Sequence, residues 1–172
     1  MGNRNGTFTQ LLDEKLISSL DLSEVMSSIL ALGNQVRIRA KGWSMSPFIR
    51  DMDIITIAPL CKDSVKLGDI VAFTGEAGEN SFRLGIHRVV QKLEDGSYLI
   101  KGDNTANDPD GIVPQNRILG RVIKIERNNR IVRFGLGRER FMIAQLSKRD
   151  MLFPIITSMR KLKQIIRKGK SP

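Results

Sequence analysis

The sequence predicts a mainly β fold, a coiled antiparallel sheet with N-terminal and C-terminal helices. Three observations predict it. Short β-branched segments, many of them alternating, fill the middle of the chain. Turn-forming Gly, Asn and Asp separate them. Apolar spacings of three and four are confined to the two ends.

Residues 35–133 supply the strands, as QVRIRA, DIITIAP, DIVAFT, IHRVVQKL, SYLIKG, ILGRVIKIER and RIVRF. KLGD, EDGS and RNNR read as the turns between them, a spacing that argues against βαβ units. Residues 8–33 read as helical, through Leu11, Leu12, Lys15 and Leu16 and then Val25, Met26, Ile29 and Leu30. Asp21 with Glu24 predicts an N-cap and Gly33 a stop. Residues 138–168 return to helix, with Ser147 and Asp150 as a capping pair and Pro154 tolerable only in the first turn. The expected division is a helical segment over 1–34, a β peptidase-like domain over 35–135, and basic amphipathic helices over 136–172.

Composition narrows the class. The chain has 172 residues, 41% hydrophobic and 27% charged, enough to bury a core without covalent staples. Its one cysteine, Cys61, excludes an internal disulfide and a multi-cysteine zinc site. No apolar run approaches the ~20 residues that cross a bilayer, and the N-terminus carries no secretory pattern. The expectation is a cytoplasmic protein.

The net charge of +10 is concentrated at one end. Residues 138–172 hold ten Lys/Arg against two acids, Glu139 and Asp150. Such a tail points to an acidic surface rather than to specific nucleic-acid recognition. A helix-turn-helix over 8–33 is disfavoured as well, since its second helix is apolar where base-reading side chains belong. Leu152, Ile155, Ile156, Met159, Leu162 and Ile166 share one helical face, with Lys and Arg opposite. That face either docks on the β core or makes a peripheral contact with an anionic membrane, at its inner face.

The chemistry begins at KGWSMSPFIRDMD, residues 41–53. Gly42 permits close backbone approach, Pro47 stiffens the loop, and Met45 and Phe48 can pin it by packing inward. A nucleophile needs that fixity, and a serine hydroxyl also needs a base. His87, in LGIHRVVQ, is the one histidine of the chain. YLIKGDNTANDPDGIVP then reads as a long ordered turn. It is a plain hydrophilic loop or the source of an acid that orients His87. A calcium loop fails, because Gly111 at the sixth position puts Ala106 where an Asp ligand belongs.

In this order, GWSMSPFIRDMDIITIAP, VKLGDIVAF, IHRVV, YLIKGDNTANDPD and ILGRV resemble the signal peptidase I / LexA-like serine peptidase superfamily over residues 36–125. The resemblance implies that superfamily's coiled β fold and a serine endopeptidase acting on a peptide or protein substrate, with no cofactor or metal. The base there is usually lysine. A histidine at this position resembles the endoplasmic-reticulum and archaeal branch, and implies Ser44 as nucleophile and His87 as general base. Asp108 is implied as the orienting acid, with Asp103 as a structural or supporting acid and Asp110 as the alternative. Gly42, Met45 and Pro47 are implied at the substrate side. The oxyanion is expected on the Ser44 N–H and a second backbone donor, together supplying ~3–4 kcal/mol. The chain departs from signal peptidases in lacking a spanning helix, and from LexA-like repressors in lacking a clear DNA reader and an Ala-Gly or Cys-Gly bond before Ser44. The alternative function is a catalytically silent peptide-binding or regulatory module of the same fold.

Overall fold

The computed structural model describes residues 9–12, 19–60, 65–78, 81–106 and 111–168. Among these the strands are β1 (Thr9–Leu12), β2 (Gln35–Arg39), β3 (Ile54–Pro59), β4 (Ile70–Gly78), β5 (Ser81–Lys92), β6 (Tyr98–Lys101), β7 (Gly111–Val113), β8 (Ile118–Arg127) and β9 (Arg130–Ile131). The helices are α1 (Ser19–Ala31), α2 (Arg140–Lys148) and α3 (Leu152–Lys168). One curled sheet holds all the strands in the order β1-β2-β3-β8-β4-β5-β6-β7, with β9 paired to β8. Every pairing is antiparallel except β1 with β2.

The expected helix over 8–33 divides. Thr9–Leu12 is a strand whose Leu12 pairs with Ile38, and α1 spans Ser19–Ala31, while Lys15 and Leu16 lie outside the described residues. A free edge on β2 offers this segment a backbone ladder, which outweighs the weak helical spacing of its leucines. Asp21 therefore lies inside α1 and not at its cap. The stop at Gly33 has a clear cause. Its φ of +82° suits glycine, and Gly33 N–H donates to Leu30 O while Asn34 N–H donates to Ile29 O.

Leu22, Met26 and Leu30 recur every fourth residue along α1 and bury one stripe on Val36, Ile38, Ile55 and Ile57 of the sheet. Side chains of this size each contribute ~1.5–3 kcal/mol when buried. A second cluster, with Val71, Phe73, Val89, Tyr98 and Ile100, fills the β4–β5–β6 end.

At the C-terminus α2 and α3 form without the expected Ser147–Asp150 capping pair. Ser147 is buried inside α2, and Asp150 turns the chain at φ +57° into α3. The apolar face of α3 also divides. Leu152 and Ile156 are buried with Phe48 and Ile143, whereas Ile155, Met159, Leu162 and Ile166 are exposed. Among the described residues no helix is long and apolar enough to cross a membrane.

Gly120 shows how closely the central strands approach. A Cβ there would meet Ala58 O at 2.6 Å and Ile57 Cγ2 at 2.7 Å. Gly120→Ala is expected to lower the unfolding free energy by about 1–3 kcal/mol. Urea unfolding checks it, as a lower midpoint at unchanged slope.

Candidate active site

Three segments converge on one end of the sheet. The first is the loop over residues 40–53, between β2 and β3. Its base is closed by Ala40 N–H to Asp53 O (2.7 Å) and Met52 N–H to Ala40 O (2.9 Å). Both of its acids work as clamps. Asp51 Oδ1 accepts the Gly42 N–H at 2.9 Å. Asp53 is buried, accepts the Arg50 N–H, and takes a bidentate pair from Arg127 at 2.8 and 2.6 Å. Arg127 also donates to Phe48 O at 3.0 Å. Two directed N–H···O contacts fix orientation as well as distance.

The second segment is β5, which carries His87 and Arg88. Neighbouring strand residues point to opposite faces, so the two side chains serve different sites. His87 Nε2 lies 2.7 Å from Ser44 Oγ. With the hydroxyl as donor, the serine proton already points at the ring. Phe73 stands beside the imidazole, ring centroids 6.0 Å apart, and fills the space over Gly85, where a Cβ would meet it at 2.5 Å. His87 and Ser44 are both half-buried, enough to hold their geometry while leaving access.

The third segment is the KGDN turn after β6. The β5–β6 ladder pairs Arg88 with Lys101 and so delivers Asp103 to Arg88. Arg88 Nε and Nη2 donate to the two Asp103 oxygens at 2.8 and 2.7 Å, and Nη1 donates to Gly68 O and Gly135 O, each at 2.9 Å. Neither side chain of the pair reaches water. Burial pushes the Asp103 carboxyl up from its ordinary range, and the adjacent Arg88 charge pulls it back. The matched fork of donors and oxygens is that of an ion pair. From the same turn, Asn104 N–H donates to Ser44 O at 2.6 Å and Asn104 Nδ2 donates to Trp43 O at 3.0 Å. Gly102 makes this approach possible, since a Cβ there would stand 3.0 Å from Ser44 O.

The residues singled out from the sequence are therefore placed unequally. Ser44 and His87 meet. Asp103 faces Arg88 and acts as a strut. Asp108 and Asp110 lie outside the described residues. Gly42, at φ +87°, and half-buried Pro47 lie on the loop, but Met45 is 4% exposed and its side chain anchors the loop in the core instead of lining a substrate surface. The Gly42 N–H, being held by Asp51, is not available as an oxyanion donor. Among the described residues no acceptor takes the N–H of Trp43, Ser44 or Met45. No cluster of His, Cys, Asp and Glu there could hold a metal ion.

Arg88, Arg127 and Asn104 were not singled out by sequence reasoning. A signal was present for two of them. Arg88 follows the histidine directly, and Asn104 follows the acid of the turn. Arg127 closes a strand with nothing to distinguish it from the other surface cations of the chain.

A comparison with protein-family models matches residues 6–123 to the family described as Peptidase S24-like, well over half of the chain. No curated protein and no solved structure matches it.

Breaking a buried pair strands one charge. Asp103→Asn is expected to cost about 3–5 kcal/mol, and the double change Arg88→Met with Asp103→Leu less than the sum of its parts. Chemical unfolding of the four proteins measures both effects.

Proposed function

The chain belongs to the Peptidase S24-like family, and from that premise we propose that it is a serine endopeptidase with Ser44 as nucleophile and His87 as general base. The observation that carries the proposal is the 2.7 Å contact between Ser44 Oγ and His87 Nε2. A base at that distance can take the hydroxyl proton as the oxygen attacks a peptide carbonyl. Ser44 Oγ forms the bond to the carbonyl carbon, the tetrahedral oxyanion collapses, and the imidazolium returns its proton to the leaving amine. Water, deprotonated by the same ring, then hydrolyses the acyl-serine and restores the hydroxyl.

The developing oxyanion is held by the Ser44 N–H and a neighbouring amide of Trp43 or Met45. Support for this is that these amides have no other acceptor among the described residues, while Gly42 and Ser46 on either side donate elsewhere. Asp108 takes the role of orienting acid on the far ring nitrogen, fixing the tautomer and stabilising the imidazolium. It carries over by position from the resemblance to the histidine-bearing branch of the superfamily. Asp103 is paired with Arg88, which supports leaving the orienting role to Asp108 in this reading.

Ser44→Ala is expected to lower kcat/KM by at least about a thousandfold, His87→Ala by a similar factor, and the double variant by little more, because the two act as a unit. Cleavage of a peptide library, with products read by mass spectrometry, tests this. A fully active Ser44→Ala protein would end the proposal, and retained peptide binding without turnover in the wild type would support a silent module.

The orienting acid is tested separately. Asp108→Asn should cost about 10²- to 10⁴-fold in kcat, and Asp110→Asn little. The reverse ranking would move the role to Asp110.

A further inference from the structure

Among the described residues, the exposed half of α3 has no partner. Met151, Ile155, Met159, Leu162 and Ile166 recur at steps of four, four, three and four, and all five are exposed, Leu162 by 58%. A helical surface of this width normally buries itself. It belongs to the same helix whose first turn is anchored, through Leu152 and Ile156, on Phe48 of the Ser44 loop. Further along, Arg160 Nη2 donates to Ser46 Oγ at 3.1 Å. The apolar stripe is thus held in a fixed relation to the candidate nucleophile.

The charge of the segment selects the occupant. Residues 151–172 contain Arg160, Lys161, Lys163, Arg167, Lys168 and Lys170 and no acid at all. A second copy of α3 laid on the stripe would set these cations against their own kind, with no carboxylate to relieve them. A nucleic acid would satisfy the cations and leave the isoleucines, methionines and leucine uncovered, with no aromatic ring on the stripe to stack a base. An anionic bilayer meets both demands, with acyl chains for the stripe and headgroup phosphates for the flanking lysines and arginines. We propose that α3 is a membrane-surface docking helix that lies in the interface of an anionic bilayer and holds the Ser44 loop against it.

Co-sedimentation of the full chain with lipid vesicles tests this without reference to catalysis, so its failure is separate from failure of the peptidase reading. The wild type is expected to bind vesicles containing phosphatidylglycerol, to bind pure phosphatidylcholine weakly, and to release as salt is raised past the point where the Debye length falls below ~8 Å. Leu162→Glu, at an exposed position, should reduce the bound fraction at least about tenfold with unchanged circular dichroism. Should that variant misfold, Leu162→Ser serves with the same expected direction. Absence of binding by the wild type, or equal binding by a folded Leu162 variant, overturns the proposal. So does concentration-dependent self-association that the variant abolishes while vesicles bind neither protein, since the stripe would then be an interface between copies.

Discussion

A guanidinium with no access to water holds the candidate-site end of this molecule together. Arg88 spends four of its five N–H donors on Asp103, Gly68 O and Gly135 O. Each contact fixes a different piece of chain. Gly68 opens the approach to β4, Asp103 belongs to the KGDN turn, and Gly135 follows β9. The ion pair is a poor source of net stability, because removing two charges from water costs several kcal/mol apiece before any attraction is counted. Its value lies in direction. A bidentate fork tolerates little rotation, so the turn bearing Asp103 has one position relative to β5. Asn104, the next residue, then sets the carbonyl of Ser44. Strand β5 thus presents the ring to the serine from one face and, through Arg88, positions the serine's loop from the other.

The loop itself is held by a second guanidinium. Arg127 joins Asp53 and the Phe48 carbonyl, so the end of the loop is tied to β8, the strand with the most neighbours in the sheet. Asp51 closes the other side at Gly42. Between these anchors the chain is left with three adjacent amides, of Trp43, Ser44 and Met45, that donate to nothing described. A short loop can leave amides free only when something else maintains its shape. Here carboxylates and buried side chains do so, Met45 and Phe48 among them. The acids that follow the serine in sequence are accounted for by this mechanical role and need no part in the chemistry.

Much of the fold was legible because its signals are local. Alternating strands such as QVRIRA and ILGRVIKIER, and a helix stop such as Gly33, are decided within a few residues. The meeting of Ser44 with His87 was foreseeable only through the order of the motifs, since 43 residues separate them. Three features were not legible, each for a physical reason. Thr9–Leu12 is a strand because β2 offers it an edge, a fact of tertiary structure. The sequence offers Asp103 as a structural or supporting acid but does not name its partner, because Arg88 adjoins His87 and points to the other face. The division of the α3 stripe into a buried and an exposed half depends on where the Ser44 loop ends, which no period in the sequence records.

The family match stops at residue 123, yet the site does not. Gly135, which accepts from Arg88, is held in turn by Glu139, whose Oε1 receives the N–H groups of Gly135 and Gly137. Those hydrogen bonds, the one from Gly135 foremost, keep the Glu139 carboxyl below its ordinary value and so favour the charged form that makes them. Lys101, the first residue of the KGDN turn, pairs with Asp150 at the α2–α3 junction. Phe48 and Ser46 of the Ser44 loop meet α3 directly. Contacts from residues 135–160 therefore reach all three segments of the site: the loop, the strand and the turn. A displacement of α3 cannot leave that geometry untouched, because the packed cluster around Phe48 and the buried ion pair resist deformation separately and share the loop between them. The basic helix is thus in direct contact with the loop that carries Ser44, through Phe48 and Ser46.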